Sequence, residues 1–189
     1  MVRSVIYTKM IEISYGAIIA LISIIWCLIR AAVAIKNKQI SLNRELQLLL
    51  VYVCIVVVVR FTFFPFSKVN GLIRPLVFDS TKIFPPRTNF IPLINLFDYP
   101  TAKEAALNVI GNTLMFMPLG IVWPAVFKEL NSHNKVVLSG FATSLIIEIL
   151  QLPFYSRVSD VDDLILNSLG FIMGYLIYLF VRSIKKKAK

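Results

Sequence analysis

The sequence predicts an all-α fold: a polytopic membrane helix bundle of about five transmembrane helices, with the N-terminus outside and the C-terminus inside. Composition, segment length and the placement of basic residues all lead to it. Apolar residue types make up 58% of the 189 residues and charged types 16%, against about 45–50% and about 25% in soluble domains. Such a composition excludes intrinsic disorder and argues against a soluble globular domain.

Five apolar segments, each of 17 to 21 residues, divide the chain. A helix needs about 20 residues to cross a hydrocarbon core of about 30 Å. Because backbone groups in lipid must be satisfied internally, these segments are predicted to be helices. They run from Ile13 to Ile29, Leu46 to Phe66, Asn108 to Phe127, Val136 to Phe154 and Leu164 to Val181.

Glycine spacing predicts a close contact between helices. Gly170 and Gly174 in the last segment form a Gly-x-x-x-Gly face, which lets a neighbouring helix approach closely. Gly111 and Gly120 in the third segment are candidates for the same role.

The orientation follows from the lysines and arginines between the apolar segments. Residues 30–45, 128–135 and 182–189 carry 11 of them in 32 positions, whereas residues 1–12, 67–107 and 155–163 carry 8 in 62 positions. Cytoplasmic loops are the more basic ones, which predicts N-out and C-in. The formal net charge of +10 is therefore attributed to membrane orientation, and no nucleic-acid partner is expected.

Polar side chains then gather in the outer third of the membrane, in four of the five predicted helices. A charge inside a spanning helix costs about 2.5–3.5 kcal/mol on insertion scales, so it is rarely kept without partners or a function. Asp160, Asp163 and Asn167 also recur at helical spacing on one face. The residues are Arg60 in the second segment, Asn108 and Asn112 in the third, Glu148 and Gln151 in the fourth, and Arg157, Asp160, Asp163 and Asn167 around the start of the fifth.

Simpler interpretations exist for most of these residues taken singly. Arg60 could extend to the outer headgroups, and Asn108 and Asn112 could join helices by hydrogen bonds. Glu148 has no such comfortable interpretation, because a short acidic side chain reaches the interface poorly. Taken together, the residues predict one outward-facing polar pocket that holds Arg60, Glu148, Arg157 and Asp163 within mutual reach. Glu148 is expected within hydrogen-bonding or ion-pair reach of Arg60 or Arg157, with Gln151 helping to orient it.

Several of the same residues resemble a known family signature. Residues 108–120 (NVIGNTLMFMPLG), Glu148 with Gln151, Arg157, and residues 160–170 (DVDDLILNSLG) with Gly174 resemble the VanZ-like family, which is named after a teicoplanin-resistance protein. Residues 89–92 (NFIP) resemble its Asn-x-x-Pro-Phe element, although Leu93 stands where Phe is usual. The likeness covers roughly residues 50–182, and it adds Asn89 to the candidate binding residues.

The resemblance implies a multi-pass protein of the bacterial cell membrane, in a family where some members reduce susceptibility to glycopeptide antibiotics. We divide the chain accordingly. Residues 1–45 are expected to form a retained signal-anchor helix and a basic cytoplasmic loop, residues 46–182 the VanZ-like membrane domain, and residues 183–189 a basic cytoplasmic tail. Membrane lipids are the expected partners, together with a cell-wall precursor or a glycopeptide antibiotic.

Three functions remain open at this stage. The first is a membrane protein whose pocket engages a lipid headgroup, cell-wall precursor or antibiotic and modulates the envelope. The second is an enzyme with Glu148, Asp160 and Asp163 as catalytic carboxylates, with or without a metal, acting on a lipid-linked substrate. A transporter is the third, and it is disfavoured because no inward-facing polar half is evident. The cofactor stays unknown, and Glu148 with Asp160 or Asp163 stays open as a site for a divalent cation. An EF-hand is excluded, since residues 160–171 lack the Gly and Glu that it needs.

Overall fold

Five α-helices form most of the computed structural model, which describes residues 10–37, 41–64, 68–69, 71–92 and 100–188. The expected all-α membrane bundle is confirmed, and each apolar segment corresponds to one helix. The predicted end of the second segment at Phe66 lies outside the described residues. The helices are α1 (Tyr15–Asn37), α2 (Leu42–Phe63), α3 (Ala102–Val126), α4 (His133–Gln151) and α5 (Val161–Lys187).

Four of these helices, α1, α2, α3 and α5, are long and apolar enough to cross a membrane. The sequence predicts about five spanning helices, and four helices within the described ranges are long and apolar enough to be spans. The remaining helix, α4, has 19 residues and carries polar or charged groups at both ends. Those polar ends shorten its continuous apolar stretch.

The bounds of the helices follow their capping residues. Helix α3 begins at Ala102, earlier than its apolar segment, because the Thr101 side chain accepts a hydrogen bond from the Glu104 backbone N–H. Ser132 caps α4 in the same way through the Lys135 N–H. These caps satisfy backbone donors that a helix start otherwise leaves without partners.

Helices α3 and α5 are in direct backbone contact through glycines. A Cβ atom on Gly170 would overlap the backbone of Thr113, and one on Gly174 would overlap the backbone of Met117. From the other side, a Cβ on Gly120 would overlap the backbone of Phe171. The predicted close-approach face is thus confirmed for these three glycines. Gly111, which was expected to act similarly, has open space around it, because it lies away from the α5 contact.

The core is built mainly from aromatic and aliphatic side chains of α2, α3 and α5. Phe64, Phe116 and Phe171 are almost completely buried, and Phe171 packs on Gly140 of α4. Helix α1 lies at the edge, joined to α2 by a Ser23–Tyr52 hydrogen bond of 2.7 Å and by the Arg30–Glu45 ion pair.

Short strand pairs organise the connection between α2 and α3, and two of the three within the described residues join it to other parts of the chain. Strand β1 (Ile11–Ile13) pairs antiparallel with β4 (Leu76–Phe78), and β2 (Lys68–Val69) pairs antiparallel with β3 (Leu72–Ile73). Strand β5 (Thr88–Asn89) pairs in parallel with β6 (Ser159–Asp160), directly before α5. This last pairing brings the loop to the start of α5, where the polar residues lie.

Candidate functional site

The polar residues predicted from the sequence meet at one end of the bundle, which we call the carboxylate end. It is formed by the end of α2, the early turns of α3, the end of α4 and the start of α5. Each helix contributes its polar residues here because the helices alternate in direction. Glu148 and Gln151 are each only 4% exposed.

Glu148 is held by the backbone at the start of α5. Its Oε2 atom accepts a hydrogen bond from the Asp160 N–H at 2.9 Å, and the Ser159 side chain also interacts with it. Ser159 and Asp160 are the two residues of β6, and the pairing with β5 holds this strand in place. The expected ion pair between Glu148 and an arginine is not formed. The structure describes Glu148, Arg60 and Arg157, and no ion pair joins the carboxylate to either guanidinium. Glu148 and Arg157 nevertheless lie near enough to interact electrostatically.

Asp163 is joined to α3 by a hydrogen bond from the Asn112 side-chain amide. Asp163 also interacts electrostatically with Glu148 and with Arg157. The prediction that these residues lie in one polar cluster therefore agrees with their placement. Asn108, a turn earlier on α3, is half-buried, and none of the described residues gives its side chain a hydrogen bond.

Arg157 lies in the loop between α4 and α5 and is anchored by α2. Its Nε donates to the Phe63 carbonyl oxygen at 3.0 Å, while Nη2 is buried without a hydrogen-bond partner within the described ranges. Burial lowers the pKa of Arg157; Asp163 and Glu148 oppose this shift, and Arg60 adds to it. The side chain is a half-buried cation whose Nη2 has no hydrogen-bond partner among the residues that the structure describes.

Asp160 and Asn89 connect the long loop to the site. Asp160 is the N-cap of α5, since its Oδ1 accepts from the Asp162 N–H at 3.0 Å. The same oxygen accepts a hydrogen bond of 3.1 Å from the side-chain amide of Asn89. The cap of α5 is thus Asp160 and not the neighbouring Ser159.

Three predicted residues lie at the edge of this cluster and serve other contacts. Arg60 donates to the Phe64 carbonyl and places its guanidinium over the rings of Tyr15 and Phe61. Gln151 donates through Nε2 to the Thr62 carbonyl at 2.6 Å, so it does not orient Glu148 as expected. Asn167 lies deeper and donates to Ser144 at 3.1 Å.

Sequence reasoning did not identify Ser144 or Ser159 as site residues. Ser144 is completely buried, and it lies on the same face of α4 as Glu148 at i, i+4. That spacing was the available signal. No sequence pattern indicated Ser159, because its contact with Glu148 depends on the fold of the loop.

The site provides three carboxylates (Glu148, Asp160 and Asp163), a half-buried guanidinium and several amides in one place. Such a set can accept and donate hydrogen bonds to a polar ligand, and its carboxylates could exchange protons. Among the residues that the structure describes, no group of three or more His, Cys, Asp or Glu side chains is arranged to hold a metal ion.

The fold and the polar cluster define a multi-pass integral membrane protein with a polar site at one end of its helix bundle. This chain belongs to the VanZ/LLP1 family, whose model matches residues 49–182. The match begins within α2 and leaves α1 outside it. Membership is consistent with the expected location in a bacterial membrane.

One curated relative is similar to part of the chain. "Protein VanZ" of Enterococcus faecium is 31% identical over 78 residues, which are 41% of this chain and 48% of that protein. The chain thus matches about half the length of this relative. No solved structure matches the chain.

Proposed function

We propose that this protein uses the carboxylate end to engage a polar envelope ligand from the outer face of the membrane and thereby modulates antibiotic susceptibility. The ligand would be a lipid headgroup, a cell-wall precursor or a glycopeptide antibiotic. Family membership supports the envelope and antibiotic part of the proposal, since the relative that matches over part of its length is Protein VanZ.

The binding part of the proposal depends on the buried Nη2 atom of Arg157, which has no hydrogen-bond partner among the described residues. A buried polar group without a partner costs about 1–3 kcal/mol, and more when it is charged. A ligand oxygen at this position would remove that cost and gain a charge-assisted hydrogen bond. Asp163 and Glu148, which interact with the same guanidinium, would then bind donor groups of the ligand.

The test replaces single charged or polar groups of the cluster with near-isosteric ones. Glu148→Gln, Asp163→Asn and Asn112→Ser are each expected to abolish the effect of the protein on teicoplanin susceptibility of a bacterial host, once the unmodified protein has shown one. An amide keeps much of the hydrogen bonding but is not a charged acceptor. Each variant should still insert and accumulate normally.

The matched control is Lys187→Ala, at the opposite end of the bundle, which should leave susceptibility unchanged. Membrane abundance of every variant is measured by immunoblot. Full activity of Glu148→Gln and Asp163→Asn would contradict the proposal. A loss of activity in proportion to abundance would assign these residues to structure alone.

A carboxylate-based enzyme is the second candidate. The buried Glu148 and the half-buried Asp163 interact electrostatically, as the acid and base of a hydrolase do. Turnover of a lipid-linked phosphate substrate by the purified protein, lost in Glu148→Gln, would favour this candidate over binding alone.

A further inference from the structure

A cavity of about 780 Å³ opens at the end of the bundle opposite the carboxylate end. It lies between the end of α3, the start of α4 and the last turns of α5. Three cations, Lys128, Arg182 and Lys186, line it together with the polar side chains of Asn131, Ser132 and Ser183, and none of its lining residues is acidic. We call it the basic cavity.

The cations of the basic cavity form no ion pair with any of the described residues. Like charges around one cavity repel one another, and the repulsion is relieved when an anion binds between them. The start of α4, capped by Ser132, adds the partial positive charge of a helix N-terminus.

The remaining walls of the basic cavity are apolar or aromatic. Leu130 precedes α4, and Tyr178 and Leu179 lie one turn before Arg182 on α5; all three line the cavity beside the cations. This arrangement suits an amphiphile whose charged head enters the cavity while its chains lie along α5. A soluble anion would gain nothing from those side chains.

We propose that the basic cavity binds the phosphate of an anionic lipid headgroup. Arg182 and Lys186 are the principal phosphate contacts, since they are four residues apart on α5 and both line the cavity. With the predicted orientation, the lipid belongs to the inner leaflet. This site is separate from the carboxylate end, and either proposal can fail without the other.

The test measures binding of phosphatidylglycerol to the purified full-length protein in detergent by native mass spectrometry, with phosphatidylcholine as the zwitterionic comparison. Arg182→Gln combined with Lys186→Gln should weaken phosphatidylglycerol binding about 10- to 30-fold, since a cation near an anionic headgroup contributes about a factor of five. Lys185→Gln combined with Lys187→Gln is the matched control, because it removes the same charge from residues that do not line the cavity.

A preference for phosphatidylglycerol that only the cavity pair abolishes supports the proposal. Equal weakening by both pairs would mean general surface electrostatics and would overturn it. Inorganic phosphate and glycerol phosphate are added as soluble competitors of the lipid. If they displace the lipid at equal concentration, the cavity is a site for a soluble phosphate, and the lipid assignment is wrong.

Discussion

Buried polar side chains at the carboxylate end are held largely by backbone groups at helix ends. Glu148 accepts from the N–H of Asp160 at the start of α5, and Gln151 donates to the Thr62 carbonyl in the last turn of α2. Helix ends leave such donors and acceptors without intrahelical partners. The Glu148 hydrogen bond takes the place of the expected contact between Glu148 and an arginine, because the Asp160 N–H lies nearer to the carboxylate than either guanidinium does.

Arg157 is expected to stabilise the fold through its bond to the Phe63 carbonyl. Arg157→Gln should lower the free energy of unfolding by about 1.5–3 kcal/mol, the usual range for a hydrogen bond to a charged group. Thermal or denaturant unfolding in detergent micelles measures this change.

The same position offers an internal control for electrostatics. Asp163→Asn added to Arg157→Gln should recover part of the loss, because it removes a carboxylate that the guanidinium no longer balances. Unchanged stability of Arg157→Gln would contradict the assigned role of the Phe63 contact.

At the scale of elements, the contact between α3 and α5 depends on three glycines. Without a hydrophobic driving force in lipid, helices associate by close packing, and small residues allow it. The overlap at Gly120, Gly170 and Gly174 is with backbone atoms, which cannot rotate away as a side chain can. A larger residue therefore forces the two helices apart.

Gly170→Ala and Gly174→Ala are each expected to destabilise the protein by about 1–3 kcal/mol, the usual cost of overpacking. Gly111→Ala is the matched control on α3, because its Cβ meets open space. It should be neutral or stabilising by up to about 1 kcal/mol, since alanine favours the helix. Unfolding temperatures of the three variants check the prediction, and equal destabilisation by all three would refute it.

At the scale of the whole molecule, the bundle has two chemically different ends. The carboxylate end contains Glu148 and Asp163, whereas the opposite end contains the basic cavity and the lysines of the last turn of α5. The distribution of basic residues predicts that the second end faces the cytoplasm.

Cysteine labelling checks this orientation. In a variant with Cys27 and Cys54 replaced by serine and alanine, Ser80→Cys should react with a membrane-impermeant maleimide added to intact cells. Lys187→Cys should react only after the cells are permeabilised. Both positions are exposed, so reactivity reports the side of the membrane. The reverse pattern would invert the topology and place the carboxylate end inside.

Local pattern was sufficient to predict the helices and the polar cluster. The apolar segments yielded five helices because lipid demands that their backbone bonds be internal. Polar residues such as Asn112, Glu148 and Asp163 stood out because each is costly inside such a helix. Their gathering at one end followed from alternating helix direction.

The sequence by itself determined the membrane class, the helices, the glycine face of α5 and most members of the polar cluster. Only the tertiary structure decided which partner each group took: the Asp160 N–H for Glu148, the Phe63 carbonyl for Arg157 and the Asp160 side chain for Asn89. Helix formation and burial depend on residue types at short spacing. The hydrogen-bond partner of a polar side chain depends on which backbone groups of distant segments come close to it in the folded chain. Backbone groups are the same in every residue, so the sequence gives no signal for this choice.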